Sequence, residues 1–297
     1  MTKRKSLKDL WKKLLEWLKG AAADIVDPTD PTTPPVTPPV TPPVTPPVTP
    51  PANRPQRASF LFDNAGTRAM NALSYSTSDA WVDNVRTRQK NNGDWTVWLF
   101  MSNEKDGSPV PTTMYKGLFG GEVSTERVQM MRRRLQAYRN SGFEIVAWLT
   151  ADDSKTIANA SLTLHRQFVV DVHQHFGDLI DAYCVGLEMN EDERKNKAKD
   201  LIAHTKAVTR KDTGVHLLSG SWREALDWGA DTLYYQTGFG KSAAQVKAEC
   251  ASVIAKLGGR CKFVLSEYHK SSDTPAAKAI GQAAMTVPGC LGTGNGR

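Results

Sequence analysis

The chain has 297 residues, 40% of them apolar, and a formal net charge of +7. That length allows two domains, and the apolar share lets the part of the chain after the N-terminal segments bury a core. The charge does not point to nucleic acid: residues 1–20 hold seven lysines and arginines against two acids, so they carry +5 of it, and no zinc spacing, phosphate loop or RNA-binding signature accompanies it.

Residues 6–20 read SLKDLWKKLLEWLKG, with Leu7, Leu10, Trp11, Leu14, Leu15, Trp17 and Leu18 at three- and four-residue spacing. That period predicts an amphipathic helix with a lysine-rich opposite face; Ser6 can cap its start and Gly20 can end it. Residues 1–26 are therefore assigned to a basic anchor helix. Three places are open to its apolar stripe: the chain's own globular part, a groove on a larger protein assembly such as a virion, or an anionic membrane surface. No uninterrupted apolar stretch or small-residue cleavage site follows, which predicts a product made in the cytoplasm without secretory export. No run of ~18 apolar residues is present to span a bilayer.

Residues 27–57 form the linker. From Pro34 the tetrad Pro-Pro-Val-Thr occurs four times and ends in Pro50-Pro51. Paired prolines fix φ and push each preceding residue toward an extended conformation. The expectation is polyproline II, reaching ~55 Å at ~3.1 Å per residue. An SH3-type ligand is the competing reading, but no basic residue flanks the repeats before Arg54.

Residues 58–297 alternate strand-like and helix-like runs. Strands are expected at 59–63, 96–101, 144–150, 182–188, 214–219, 232–236, 262–267 and, weakly, 289–292. Helices are expected at 80–90, 124–140, 155–176, 191–210, 222–228, 241–257 and 274–285. Such alternation implies parallel strands joined by right-handed crossovers, and eight strands favour an α/β fold closed as a (β/α)₈ TIM-like barrel. An open doubly wound sheet is the alternative, weakened by the lack of G-x-G-x-x-G after the first strand. The four cysteines, Cys184, Cys250, Cys261 and Cys290, form no C-x-x-C pair and read as buried thiols, with a Cys250–Cys261 bridge left open.

A barrel of this kind builds its site at the carboxyl ends of its strands. The residues that end the apolar runs are Asp63, Asn103 with Glu104, Asp152 with Asp153, Glu188, Ser219 to Trp222, Tyr235 with Gln236, and Glu267. Two runs ending in glutamate are the informative feature, because a carboxylate there is costly unless it is paired or used. Two carboxyl groups facing one cleft suit glycosidic cleavage: one acts as acid, the other attacks or activates water.

Glutamates closing strands four and seven of a (β/α)₈ barrel resemble clan A of the retaining glycoside hydrolases, over residues 58–297. The resemblance implies Glu188 as acid/base, Glu267 as nucleophile and Tyr235 as an aromatic hydroxyl near the nucleophile. Where the clan usually has an asparagine before its acid/base this chain has Leu187, with Asn190 and Glu191 nearby as stand-ins. Substrate contacts are expected from Tyr235, Trp222, Asp152, Asn103, Asp63, Tyr268 and His269. Asp152-Asp153 can instead cap the next helix, Trp98 and Trp148 can stack on sugar rings or fill the core, Arg132 to Arg134 read as a solvated helix face, and His165 with His173 as a weak metal pair. No cofactor or metal is assigned.

The resulting expectation is a glycan-directed head, a retaining hydrolase of polysaccharide, held by the arm and helix on a phage-type particle. The alternatives are a non-catalytic carbohydrate- or receptor-binding or capsid-decorating protein, and a peripheral protein of the inner membrane face.

Overall fold

The computed structural model describes the backbone of residues 56–60, and residues 72–102, 114–150, 157, 159–191, 193–270 and 274–294. The anchor helix and the proline repeats lie outside the described residues, as do Asp63, Asn103 and Asp152.

Eight parallel strands close into a barrel in chain order: β1 Gln56–Phe60, β2 Thr96–Phe100, β3 Glu144–Trp148, β4 Ala182–Cys184, β5 Thr213–Leu217, β6 Thr232–Gln236, β7 Lys262–Glu267 and β8 Cys290–Thr293. Pairing of Gln56 with Gly292 and Arg57 with Thr293 joins the last strand to the first. The helices between them are α1 Asp79–Asn91, α2 Thr125–Asn140, α3 Leu162–Phe176, α4 Arg194–Thr209, α5 Trp222–Asp227, α6 Ala243–Leu257 and α7 Pro275–Met285. The open-sheet alternative is thereby set aside.

The strands read as continuous apolar runs because both of their faces are buried. Successive side chains point to opposite faces, so each run divides in two. Trp98, Phe100, Val146, Trp148, Ala182, Cys184, Tyr234 and Val264 fill the barrel interior. Val97, Leu99, Ile145, Ala147, Tyr183, Val215, Leu233, Tyr235, Phe263 and Leu265 face the helices. Trp98 stacks on Trp148 at 5.5 Å between centroids, so both tryptophans are core.

Five helices start on a serine or threonine whose side chain accepts from the backbone three residues on: Ser78, Ser124, Ser161, Ser242 and Thr274. Each satisfies one donor that a helix start otherwise leaves bare. Ser161 sets the start of α3, later than the residue 155 read from periodicity. At the opposite end of the barrel, carboxylates tie strand starts together. Asp181 Oδ2 accepts from Ile145 N at 2.7 Å, and Asp231 Oδ2 accepts from Thr213 N at 3.0 Å.

Two expectations change. Arg134 is not on a solvated face: it is 6% exposed, and its guanidinium donates to Asp79 Oδ1 at 2.7 Å and to the carbonyls of Ala72, Ser74 and Thr77. It clamps the approach to α1. No bridge joins Cys250 and Cys261, as all four cysteines are buried free thiols; burial pushes these two up to about 12.

Candidate active site

The site starts from the way β6 and β7 meet. Their register runs evenly through Tyr234↔Val264 and Tyr235↔Leu265, then skips, so that Gln236 stands opposite Glu267 and not Ser266. Simple alternation would send Glu267 outward with Phe263 and Leu265. The skipped residue restores it to the face of Gln236, which shares its parity with the interior residue Tyr234. Bulges re-aim side chains in this way beside functional sites. Gly294 allows the bend: its N–H donates to Leu265 O at 2.7 Å, and a Cβ there would lie 2.2 Å from Ser266 O.

Glu188 reaches the same place by a different route. β4 ends at Cys184, not at 188, and Glu188 sits in the turn that follows, with φ of 47°. A non-glycine residue in the left-handed region stores strain and is tolerated where its surroundings fix it. They do so here. Leu187 N donates to Thr150 O at 3.1 Å and Met189 N to His216 O at 3.0 Å. Arg194 donates to Leu187 O at 3.2 Å. Glu188 N itself donates to His216 Nδ1 at 2.9 Å.

The two carboxylates meet at Gln236. With its amide oriented so that nitrogen faces acceptors, Gln236 donates to Glu188 Oε1 at 3.1 Å and to Glu267 Oε2 at 3.3 Å. Those two oxygens can lie no further apart than the sum of these distances, ~6.4 Å, a bound compatible with the ~5–5.5 Å between the carboxyl groups of retaining pairs. Glu267 is 1% exposed, whereas Glu188 and Gln236 are half-buried.

The aromatic residues expected at the site are elsewhere. Tyr235 faces the helices: its ring packs on Phe263, its hydroxyl donates to Glu249 Oε1 on α6 at 2.9 Å, and it accepts from Gly220 N at 3.0 Å. Its hydroxyl is therefore not the group beside Glu267; Gln236 takes that place. Trp222 lies in the helical layer, with Lys256 Nζ 5.5 Å and Arg223 Cζ 5.6 Å from its ring centre. Tyr268 is buried against α7, where a methyl on Gly281 would stand 2.8 Å from its hydroxyl. His269 is half-buried, two residues past Glu267.

Of the stand-ins for Glu188, Glu191 is paired with Arg194 at 3.2 Å. Asn190 ties two loops together: it accepts from Leu218 N at 3.0 Å and donates to Ser221 Oγ at 3.2 Å. Leu187 turns into the barrel interior. His165 packs on Phe119, and His173 Nδ1 lies 3.1 Å from the Tyr183 hydroxyl.

Two residues carry no role in the sequence analysis: Gln236, named there only as the end of its strand, and His216. Parity could have found the first, since Gln236 follows Tyr234 by two and ends its strand. His216 carried no signal, because only the turn at Glu188 brings a backbone N–H to it.

No family model matches this chain, and no curated protein matches it either. Solved structures do. A family 5 glycoside hydrolase from Prevotella bryantii B14 aligns with a TM-score of 0.55 at 10% identity, over 82% of this chain and 88% of that one. A GH113 β-1,4-mannanase aligns at 0.53 and 10%, over 81% and 86%. A putative glycoside hydrolase from Bacteroides vulgatus ATCC 8482 aligns at 0.55 and 11%, over 77% of this chain; the chain spans half the length of that protein. The fold is the (β/α)₈ barrel of these glycoside hydrolases.

Proposed function

We propose that the barrel is a retaining glycoside hydrolase in which Glu267 is the nucleophile and Glu188 the acid/base. One observation carries this reading: a single amide, Gln236, donates to both carboxylates, which holds them on either side of one small space. The similarity to family 5 and GH113 enzymes supports the substrate class.

The roles follow from placement. Glu267 is buried and held by the strand and its bulge, which suits a group that must keep a fixed line of attack. Its carboxylate oxygen bonds to the anomeric carbon as the bond to the leaving oxygen breaks. Glu188, half-buried and so able to exchange protons with water, gives its proton to that oxygen. It then takes a proton from the water that displaces Glu267, regenerating both groups. Gln236 offers two donors and no charge, so it can hold two carboxyl groups together without neutralising either.

The test is release of reducing sugar by the full chain from β-linked mannans and glucans. Turnover that falls at least ~10³-fold in Glu267→Gln and ~10²-fold in Glu188→Gln supports the reading. Binding without turnover points to a glycan-binding head.

The N-terminal sequence supports display on a larger assembly. The basic amphipathic pattern of residues 6–20 and the Pro-Pro-Val-Thr repeats that follow suit a head held off a particle of the phage type. Co-purification with such particles, lost when Leu10, Trp11 and Leu14 become serine, tests it; flotation with anionic liposomes would favour a membrane instead.

A further inference from the structure

The group that fixes Glu188 has a chemistry of its own. His216 is on β5, wholly buried, with its ring 5.4 Å from that of Trp148. Its backbone ties β5 to the turn after β4 in both directions: His216 N donates to Gly186 O at 3.3 Å, and His216 O accepts from Met189 N at 3.0 Å. Its side chain makes the contact that bears on Glu188, accepting that residue's N–H on Nδ1 at 2.9 Å.

An acceptor on Nδ1 requires a neutral ring with its proton on Nε2. Burial, together with the charge of Arg194, pushes the imidazole down to about 3, so the ring keeps that form through the working range. Nε2 has no hydrogen-bond partner among the described residues. A buried polar atom left this way is costly, and it belongs to a side chain that accepts from the backbone of Glu188. The same N–H belongs to the residue with φ of 47°, where an unsatisfied donor would let the turn relax and swing the carboxyl group.

We infer that His216 is a positioning residue: it acts through the backbone of Glu188 to hold that carboxyl group in line with the leaving oxygen, and it touches neither substrate nor Glu267. This rests on the proposed hydrolysis, and it adds a specific consequence. Loss of the Nδ1 acceptor damages proton delivery and leaves nucleophilic attack intact.

Two substitutions of similar size separate the ring nitrogens. Asparagine can present its oxygen near Nδ1, while glutamine places its amide nearer Nε2 and leaves the Glu188 N–H unmet. Each variant is assayed in the full chain on a glycoside with a 2,4-dinitrophenolate leaving group, which departs without a proton, and on an unactivated oligosaccharide. The expected result is a fall of ~10²-fold in kcat/KM, which reports attack by Glu267 and not the later entry of water, for His216→Gln on the oligosaccharide only, the scale of lost general acid catalysis, with kcat/KM of His216→Asn within about fivefold of the parent chain on both. Equal losses on both substrates, or none, with the parent active and dependent on Glu267, would overturn the positioning role alone. A parent inactive on both substrates overturns the hydrolase reading and this inference together. If His216→Gln fails to fold, His216→Ala takes its place, with the same loss in kcat/KM confined to the oligosaccharide expected and equal losses on both substrates, or none, overturning the positioning role.

Discussion

Tyr235 and Gln236 are adjacent in sequence and face opposite ways, and the difference separates structure from chemistry. Tyr235 belongs to the helical layer, where its hydroxyl shares Glu249 with Ser219 and with Lys241 at 2.5 Å; the lysine, the serine and the tyrosine hold that carboxylate below its usual range against its burial. Tyr235→Phe should cost about 1.5–3 kcal/mol of stability, the range for a hydrogen bond to a charged group, and leave turnover within twofold. Gln236→Leu should do the reverse, with a fall in kcat on the order of 10²-fold and little change in melting temperature. Stability by thermal denaturation and rate by sugar release check the pair together. A loss of turnover in Tyr235→Phe would return the tyrosine to the site.

The two glutamates stand out in the sequence because a charge after an apolar run invites a reason, although only Glu267 ends its strand. Their companions do not. Tyr235, Trp222 and Tyr268 were read from position along the chain alone, and position does not say which face a residue takes where the register shifts. Alternation, applied strictly, would have put Tyr235 among the helices with Leu233. It would also have turned Glu267 outward, which the bulge prevents.

At the level of elements, periodicity and turn residues located the eight strands and seven helices named among the described residues, with β6 and β7 matching to the residue. β4 came out shorter, three residues against seven expected, because apolar composition continues through Val185 to Leu187 while the backbone leaves the ladder. The bulge in β7 depends on an element that follows it. Gly294 is the residue whose missing side chain leaves room for the Ser266 carbonyl. Gly294→Ala should therefore lower activity more than its cost in folding explains: a drop of ~10-fold or more in kcat/KM, with a destabilisation of roughly 1–3 kcal/mol from overpacking. Denaturant unfolding alongside kinetics tests this. An active, merely less stable variant would free Glu267 from dependence on the bulge.

For the whole molecule, two buried histidines set an acid limit on folding. Burial, and secondarily Lys197, pushes His165 down to about 4; burial and Arg194 push His216 down to about 3. Both start from 6.5 in the unfolded chain. A group lowered on folding binds more protons when unfolded, so its stability is full above 6.5 and is lost as pH falls toward the folded value. Each histidine should contribute a slope of up to ~1.4 kcal/mol per pH unit in that window. Urea midpoints between pH 6 and 5 should fall accordingly, and His165→Phe should flatten the slope by its share. An unchanged slope would mean that His165 finds a proton without unfolding.

The account depends on Glu188 and Glu267 working from opposite sides of one anomeric carbon. The most direct test is the configuration of the first sugar released by the full chain, followed by proton NMR before mutarotation. The anomeric signal should appear with the configuration of the substrate, and it should be absent with Glu267→Gln. A product of opposite configuration would mean that water, not Glu267, attacks the sugar, and would contradict the pairing drawn from Gln236.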